Sequence, residues 1–117
     1  MVVGELTGEQ IDNLFHALAD ATRRDILRRC AIEEPSVSRL ADVYPMSFAA
    51  VQKHVAVLER AGLVRKEKRG REQLVRTDRE GVAAARLALD QLEAEWRGRV
   101  GRMAGLLETD PTRGPHS

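Results

Sequence analysis

Cysteine occurs once in the 117 residues, at Cys30, so no disulfide can close within the chain and a reducing, cytoplasmic location is the expectation. Long apolar runs are missing too. None approaches the roughly 20 residues needed to span a bilayer, and no membrane partner is expected. The opening MVVGELTGEQ lacks the basic start and apolar stretch of a secretory signal. Catalytic constellations are equally scarce: there is no Gly-rich phosphate loop, no nucleophile beside a histidine and no paired carboxylates in a plausible cleft. Nothing in the sequence supports an enzyme, and no cofactor is expected.

What is present suffices for one compact domain, with 43% hydrophobic and 32% charged residues. The net charge is only +1, but its distribution is uneven. Residues 1–20 carry four acids and no Lys or Arg, whereas residues 21–76 hold 13 Lys/Arg against 7 Asp/Glu. Residues 77–117 return to near balance, with 6 against 7. A basic middle flanked by more acidic ends fits one face built for a polyanion, although small domains often show uneven charge.

The periodicity divides the chain into six elements. Ile11, Leu14, Phe15 and Leu18 recur at helical spacing and predict an amphipathic helix from Glu9 to Ala19. Asp20 is an N-cap for a second helix, ATRRDILRRCAI, which the EEP stretch ends. Ser36 caps a short third helix, VSRLADVY, with Val37, Leu40 and Ala41 turned inward. After Pro45 and Met46, Ser47 caps a fourth helix, over 47–61, which Gly62 stops. The period then changes: LVRKEKRGREQLVRT alternates apolar with polar at both ends around Gly70, the pattern of a β-hairpin with a basic tip. From Arg79 a last helix of nearly 30 residues begins, carrying more apolar residues than a small domain can cover. Its Gly98, Gly101 and Gly105 each weaken it by roughly 1 kcal/mol relative to Ala, tolerable where another helix packs close. The tail 109–117 has no core-forming residues and is expected to be disordered, leaving a domain over 1–108.

The fold expected is therefore mainly α with a small β-hairpin. Helices three and four, joined by a short turn, read as a helix-turn-helix, and the basic hairpin after them makes a winged helix. In the fourth helix Val51, Val55 and Leu58 form a core stripe, while Ser47, Ala49, Ala50, Gln52, Lys53 and His54 mix small with hydrogen-bonding side chains. A helix in the DNA major groove reads base edges from its N-terminal turns. Small residues there allow close approach and touch thymine methyls, Gln pairs with adenine and Lys with guanine. Ser47 stands at the positive end of the helix dipole, placed to meet a phosphate. Lys66, Lys68, Arg69 and Arg71 of the wing at 65–71 would follow the adjacent backbone or minor groove, and phosphate contacts of that kind give affinity with little sequence information. Ser36 and His54 complete the candidate DNA-binding set, with His54 either meeting phosphate or capping the core edge. A solvated outer helix face is the plainer alternative for this helix, and the basic hairpin weighs against it.

The segments LFHALADATRRDILRRC and SVSRLADVYPMSFAAVQKHVAVLERAGLVRKEKRGREQLVR, followed by the long last helix, resemble the ArsR family of bacterial winged-helix repressors over residues 11–108. The resemblance implies a homodimer that represses transcription from a palindromic operator, with first and last helices forming the dimer interface. Leu14, Phe15, Leu89, Leu92, Trp96, Val100 and Met103 would supply that interface. Metal-sensing members carry a Cys-x-Cys pair in the third helix or Asp and His ligands in the last. Here the third helix has no cysteine, and the last has Asp90, Glu93 and Glu95 but no His, so no metal is expected. A carboxylate-only site for a harder ion stays open beside the plainer reading of solvated charges. Cys30 could be a thiolate beside Arg28 and Arg29. Its alignment with Ile26 and Leu27 favours a core position, and no thiol switch is expected. A winged helix used only as a protein-interaction module, its basic wing facing an acidic partner, is the alternative function. The effector, if one exists, is not legible.

Overall fold

Every helix among the described residues begins where an oxygen-bearing side chain takes up a free N–H group of the first turn. In the structure, a computed structural model describing residues 6–108 with side chains to Gly98, the helices are α1 (Gly8–Leu18), α2 (Ala21–Ile32), α3 (Val37–Val43), α4 (Phe48–Arg60) and α5 (Arg79–Glu108). The caps are Thr7, Asp20, Ser36, Ser47 and Asp78, which accept from the backbone of Gln10, Arg23, Arg39, Ala50 and Gly81 at 3.0–3.2 Å. The Gln10 side chain in turn accepts from Thr7 N at 2.8 Å, closing a capping box that fixes the start of α1. Residues 1–5 and the expected tail at 109–117 lie outside the described residues.

Helix α4 ends in a Schellman turn: Leu63 N donates to Leu58 O at 3.1 Å and Gly62 N to Glu59 O at 2.9 Å, with Gly62 at φ 78. The chain then enters β1 (Val64–Arg69), turns at Gly70 and Arg71, and returns antiparallel as β2 (Glu72–Thr77), with Val64 opposite Thr77 and Arg69 opposite Glu72. Helix α5 starts directly afterwards. Its Gly81 lies so close to the Gly62 carbonyl that a methyl group there would fall 1.5 Å from the oxygen. This architecture is mainly α with a two-stranded hairpin, as the element order predicts.

One connection escaped the sequence pattern. The α2–α3 linker runs alongside β2: Val75 N donates to Pro35 O at 2.8 Å, and Ser36 bridges to Leu74. The wing is thereby stitched to the helix-turn-helix by backbone bonds. The core lies between α1–α4 and the base of the wing, with Leu14, Ile26, Leu40, Val51, Val55, Leu58, Val64 and Val75 at most 1% exposed. At about 25 cal/mol per Å², each such side chain contributes roughly 1.5–3 kcal/mol relative to an exposed one. The stripe Val51, Val55 and Leu58 therefore fixes which side of α4 faces out. No helix among the described residues is long and apolar enough to cross a membrane.

Candidate nucleic-acid interface

The face of α4 opposite that stripe carries Ala49, Gln52 and Lys53, all exposed, with exposed Ser47 at its end and Ala50 half-buried. Ser47 Oγ accepts from Ala50 N at 3.1 Å, which leaves its O–H free to donate. Lys53 forms no ion pair among the described residues, so its ammonium is available to an outside acceptor.

His54 turns the other way. Its half-buried ring places Nδ1 at 3.2 Å from Arg23 Nη1 and 3.9 Å from Asp20 Oδ2. A guanidinium only donates, so Arg23 is the donor of this contact. The same Arg23 donates to Ala17 O at 2.9 Å and His16 O at 2.7 Å, the last carbonyls of α1, while Arg24 reaches Leu18 O at 2.7 Å. Cations thus close the C-terminal end of α1, where the helix dipole favours them. The backbone hydrogen bond from Arg23 holds the Asp20 carboxyl below its ordinary range, against a smaller opposing effect of burial. His54 therefore ties α4 to the α1–α2 junction, as the core-edge reading has it, and is corrected from the outward set.

Ser36 is corrected in the same way. It is 8% exposed, its hydroxyl caps α3 through Arg39 N, and its backbone pairs with β2, so it has little surface to offer a phosphate.

The pleat divides the wing cations between two faces, because successive side chains in a strand point oppositely. Lys66 and Lys68 share the face of Val64 and Val75, and Lys66 Nζ lies 3.6 Å from Glu59 of α4. Arg69 falls on the other face, 3.7 Å from Glu67, and Arg71 occupies the turn. Lys68 and Arg71 form no ion pair among the described residues. The two pairs are solvent-accessible and worth at most about 1 kcal/mol each, so both cations can exchange partners for phosphate at little cost. Arg76 holds the wing base instead, donating to Glu67 Oε2 at 2.8 Å and lying 3.0 Å from Glu34 Oε1. Those two carboxylates, Glu67 first, raise its pKa.

Behind α3, Tyr44 OH donates to Asp25 Oδ2 at 2.6 Å, and Arg29 Nε donates to the same oxygen at 3.0 Å. Tyr44 and then Arg29 hold the Asp25 carboxyl below its usual value, while burial first and Asp25 second push Tyr44 up to about 12. Arg29 also lies over the Tyr44 ring at 5.8 Å, a cation–π contact that helps fix the turn between α3 and α4. Cys30 is 4% exposed in the core, and burial pushes its thiol up to about 11. Among the described residues no group of three or more His, Cys, Asp or Glu is arranged to hold a metal ion.

A second surface lies on α1 and α5. Phe15, Leu89 and Leu92 are 40–45% exposed and Trp96 is 64% exposed. Leu14, grouped with them from its position on α1, is 1% exposed and belongs to the protomer's own core, a correction set by the 100° turn between neighbouring residues. The Val100 and Met103 side chains lie outside the described residues.

The helix-turn-helix with an outward-facing second helix and a basic hairpin beside it defines a winged helix-turn-helix protein. A family described as "Helix-turn-helix domain" matches residues 18–67. The HTH-type transcriptional regulator Rv2034 of Mycobacterium tuberculosis is 35% identical over 99 residues, covering 85% of this chain and 90% of that protein. An ArsR-like transcriptional regulator from Rhodococcus sp. RHA1 is 33% identical with a TM-score of 0.75, covering 94% of this chain and 99% of that one. The homodimeric winged helix-turn-helix DNA-binding domain Mb0332 of Mycobacterium bovis, a possible ArsR-family regulator, is 26% identical with a TM-score of 0.59. That match covers 93% of this chain and 89% of the other. The chain belongs to the ArsR family of winged helix-turn-helix transcriptional regulators. It is a DNA-binding regulator of transcription, in a family of regulators rather than enzymes.

Proposed function

We propose that two copies of this chain form a cytoplasmic homodimeric repressor that reads a palindromic operator through α4 and grips it with the wing. The carrying observation is the division of α4 itself: Val51, Val55 and Leu58 lock one side to the core, and Ala49, Gln52 and Lys53 stand exposed on the other. Gln52 and Lys53 read base edges, Ser47 meets a phosphate, and Lys66, Lys68, Arg69 and Arg71 neutralise the flanking backbone. Phe15, Leu89, Leu92 and Trp96 pair the protomers, so residues 1–108 serve as one DNA-binding and dimerisation unit. The homodimeric Mb0332 domain supports this assembly by likeness.

The regulator is of a type that does not sense metals: α3 has no thiolate pair, and α5 supplies carboxylates without imidazole, a poor donor set for borderline-soft ions. The test is a band shift with DNA from upstream of the chain's own gene, with and without added zinc. Retardation with a palindrome preference, a steep salt dependence and no response to zinc is expected. No retardation at micromolar protein would overturn the operator reading and favour a protein-interaction module. Release by zinc would overturn the metal-independent subtype alone.

A further inference from the structure

Phe48 is the first residue of α4 and is 47% exposed, although it belongs to a chain with only four aromatic residues. Its ring is not among the buried side chains of the core, although Val51 and Val55 follow it at helical spacing and are buried. Charge or hydrogen bonding cannot explain it, since the ring offers neither. Of the exposed apolar side chains of α1 and α5, Phe15, Leu89, Leu92 and Trp96 make up the separate surface proposed for pairing protomers.

The position of Phe48 on α4 narrows what can cover it. Residues four apart are neighbours on one helix edge, so Phe48 lies one turn before Gln52, toward the N-terminal end. Ser47 precedes it and Ala49 and Ala50 follow, all too small to screen the ring from a groove wall. The N-terminal turns of a reading helix are those that meet base edges. In the major groove the apolar feature of a base pair is the C5-methyl group of thymine, for which Phe is a suitable partner. We propose that Phe48 is a specificity-determining residue that packs against a thymine methyl within a base pair or two of the pair read by Gln52, an assignment resting on the operator reading above. One helical turn advances about 5.4 Å, between one and two base-pair steps, so both side chains can engage one half-site.

The test uses the full-length protein and the duplex that the wild type recovers most tightly from a randomised pool. Each thymine is then replaced singly by deoxyuridine, which removes the methyl and leaves base pairing unchanged. The wild type is expected to lose about four-fold in affinity at one thymine per half-site, the factor that about 0.8 kcal/mol for one buried carbon corresponds to. Phe48→Ala should bind the thymine and uracil duplexes alike at that position, while Phe48→Leu should keep part of the discrimination. Circular dichroism melts should show both variants folded at the binding temperature, since the ring is 47% exposed. Uracil sensitivity that persists in Phe48→Ala, or is absent from the wild type at every thymine, overturns the assignment while leaving the operator reading intact. A monomer–dimer equilibrium altered by Phe48→Ala would place the ring in an interface between copies and overturn it as well. Recovery of no preferred duplex would overturn both.

Discussion

Gly81→Ala tests the contact that seats α5 on the end of the reading helix. The added methyl would lie 1.5 Å from Gly62 O and 2.6 Å from Gly62 C, where ordinary contact begins near 3.4 Å. Both atoms are backbone, so no rotamer change relieves the clash. Gly62 cannot withdraw freely either, because its φ of 78 and the two Schellman bonds fix the turn. The first turn of α5 must move, straining the Asp78 N to Leu63 O bond, now 3.0 Å, and the Asp78 cap on Gly81. Overpacking costs about 1–3 kcal/mol, and a lost hydrogen bond adds about 1 kcal/mol. The better helix propensity of Ala returns about 1 kcal/mol, so a net loss of about 1–3 kcal/mol is expected. For a domain of this size that lowers Tm by about 5–20 °C, read by thermal circular dichroism at one fixed protein concentration. Gly8→Ala is the control: it opens α1 with nothing within 4 Å of its new methyl and should be neutral or stabilising by up to about 1 kcal/mol. A Gly81→Ala protein as stable as the wild type would refute the close approach of the two backbones.

The reading face and the wing should separate in binding experiments. Gln52→Ala or Lys53→Ala should cost about 1–3 kcal/mol of discrimination while sparing non-specific binding; Arg71→Ala should weaken all sequences alike and flatten the salt slope. Trp96→Ala should shift the proposed dimer toward monomer in sedimentation, with the protomer fold retained because the ring is 64% exposed. Cys30 should resist thiol-specific labelling at neutral pH until the protein unfolds; fast labelling of folded protein would count against its burial. Its thiol sits at about 11 in the folded chain, above its ordinary 9.0, so the folded state keeps a proton that the unfolded state releases between those values. Stability should accordingly be full below pH 9 and fall as pH rises toward about 11, measured as denaturation midpoints.

Much of the fold was legible because local chemistry and tertiary structure agree. Asp20, Ser36 and Ser47 start their helices as their side chains predict, and the switch from helical to alternating spacing after Gly62 marks the hairpin. Thr7 was legible in principle, since TGEQ carries the Thr-x-x-Gln signature of a capping box. For His54 the sequence left phosphate and core edge both open; its partner Arg23 was not legible, because it lies 31 positions away and nothing local announces the pair. The burial of Leu14 beside exposed Phe15 was settled by a single residue's rotation about α1, finer than a stripe of apolar positions resolves. The linker strand at Pro35 and Ser36 was hidden for a similar reason: a proline-containing connection becomes part of a sheet only once β2 arrives beside it.

The ties that hold α4 explain how a dimer of such chains could keep its two reading helices in register. Along its length α4 is anchored by the core stripe, through His54 to Arg23, and at its end through the Gly62 turn beneath Gly81. Arg23 donates to the last carbonyls of α1, and Gly81 belongs to α5. Both ties therefore end on the helices proposed to pair the protomers. Two reading helices must stand about 34–36 Å apart, or a multiple of it, to enter successive major grooves on one side of a duplex. Slack between α4 and the pairing helices would spread that distance over many values, each fitting the operator less well. Short bonds and a backbone contact leave little such slack, so the spacing of α4 in a dimer follows from how α1 and α5 pack across the two-fold axis.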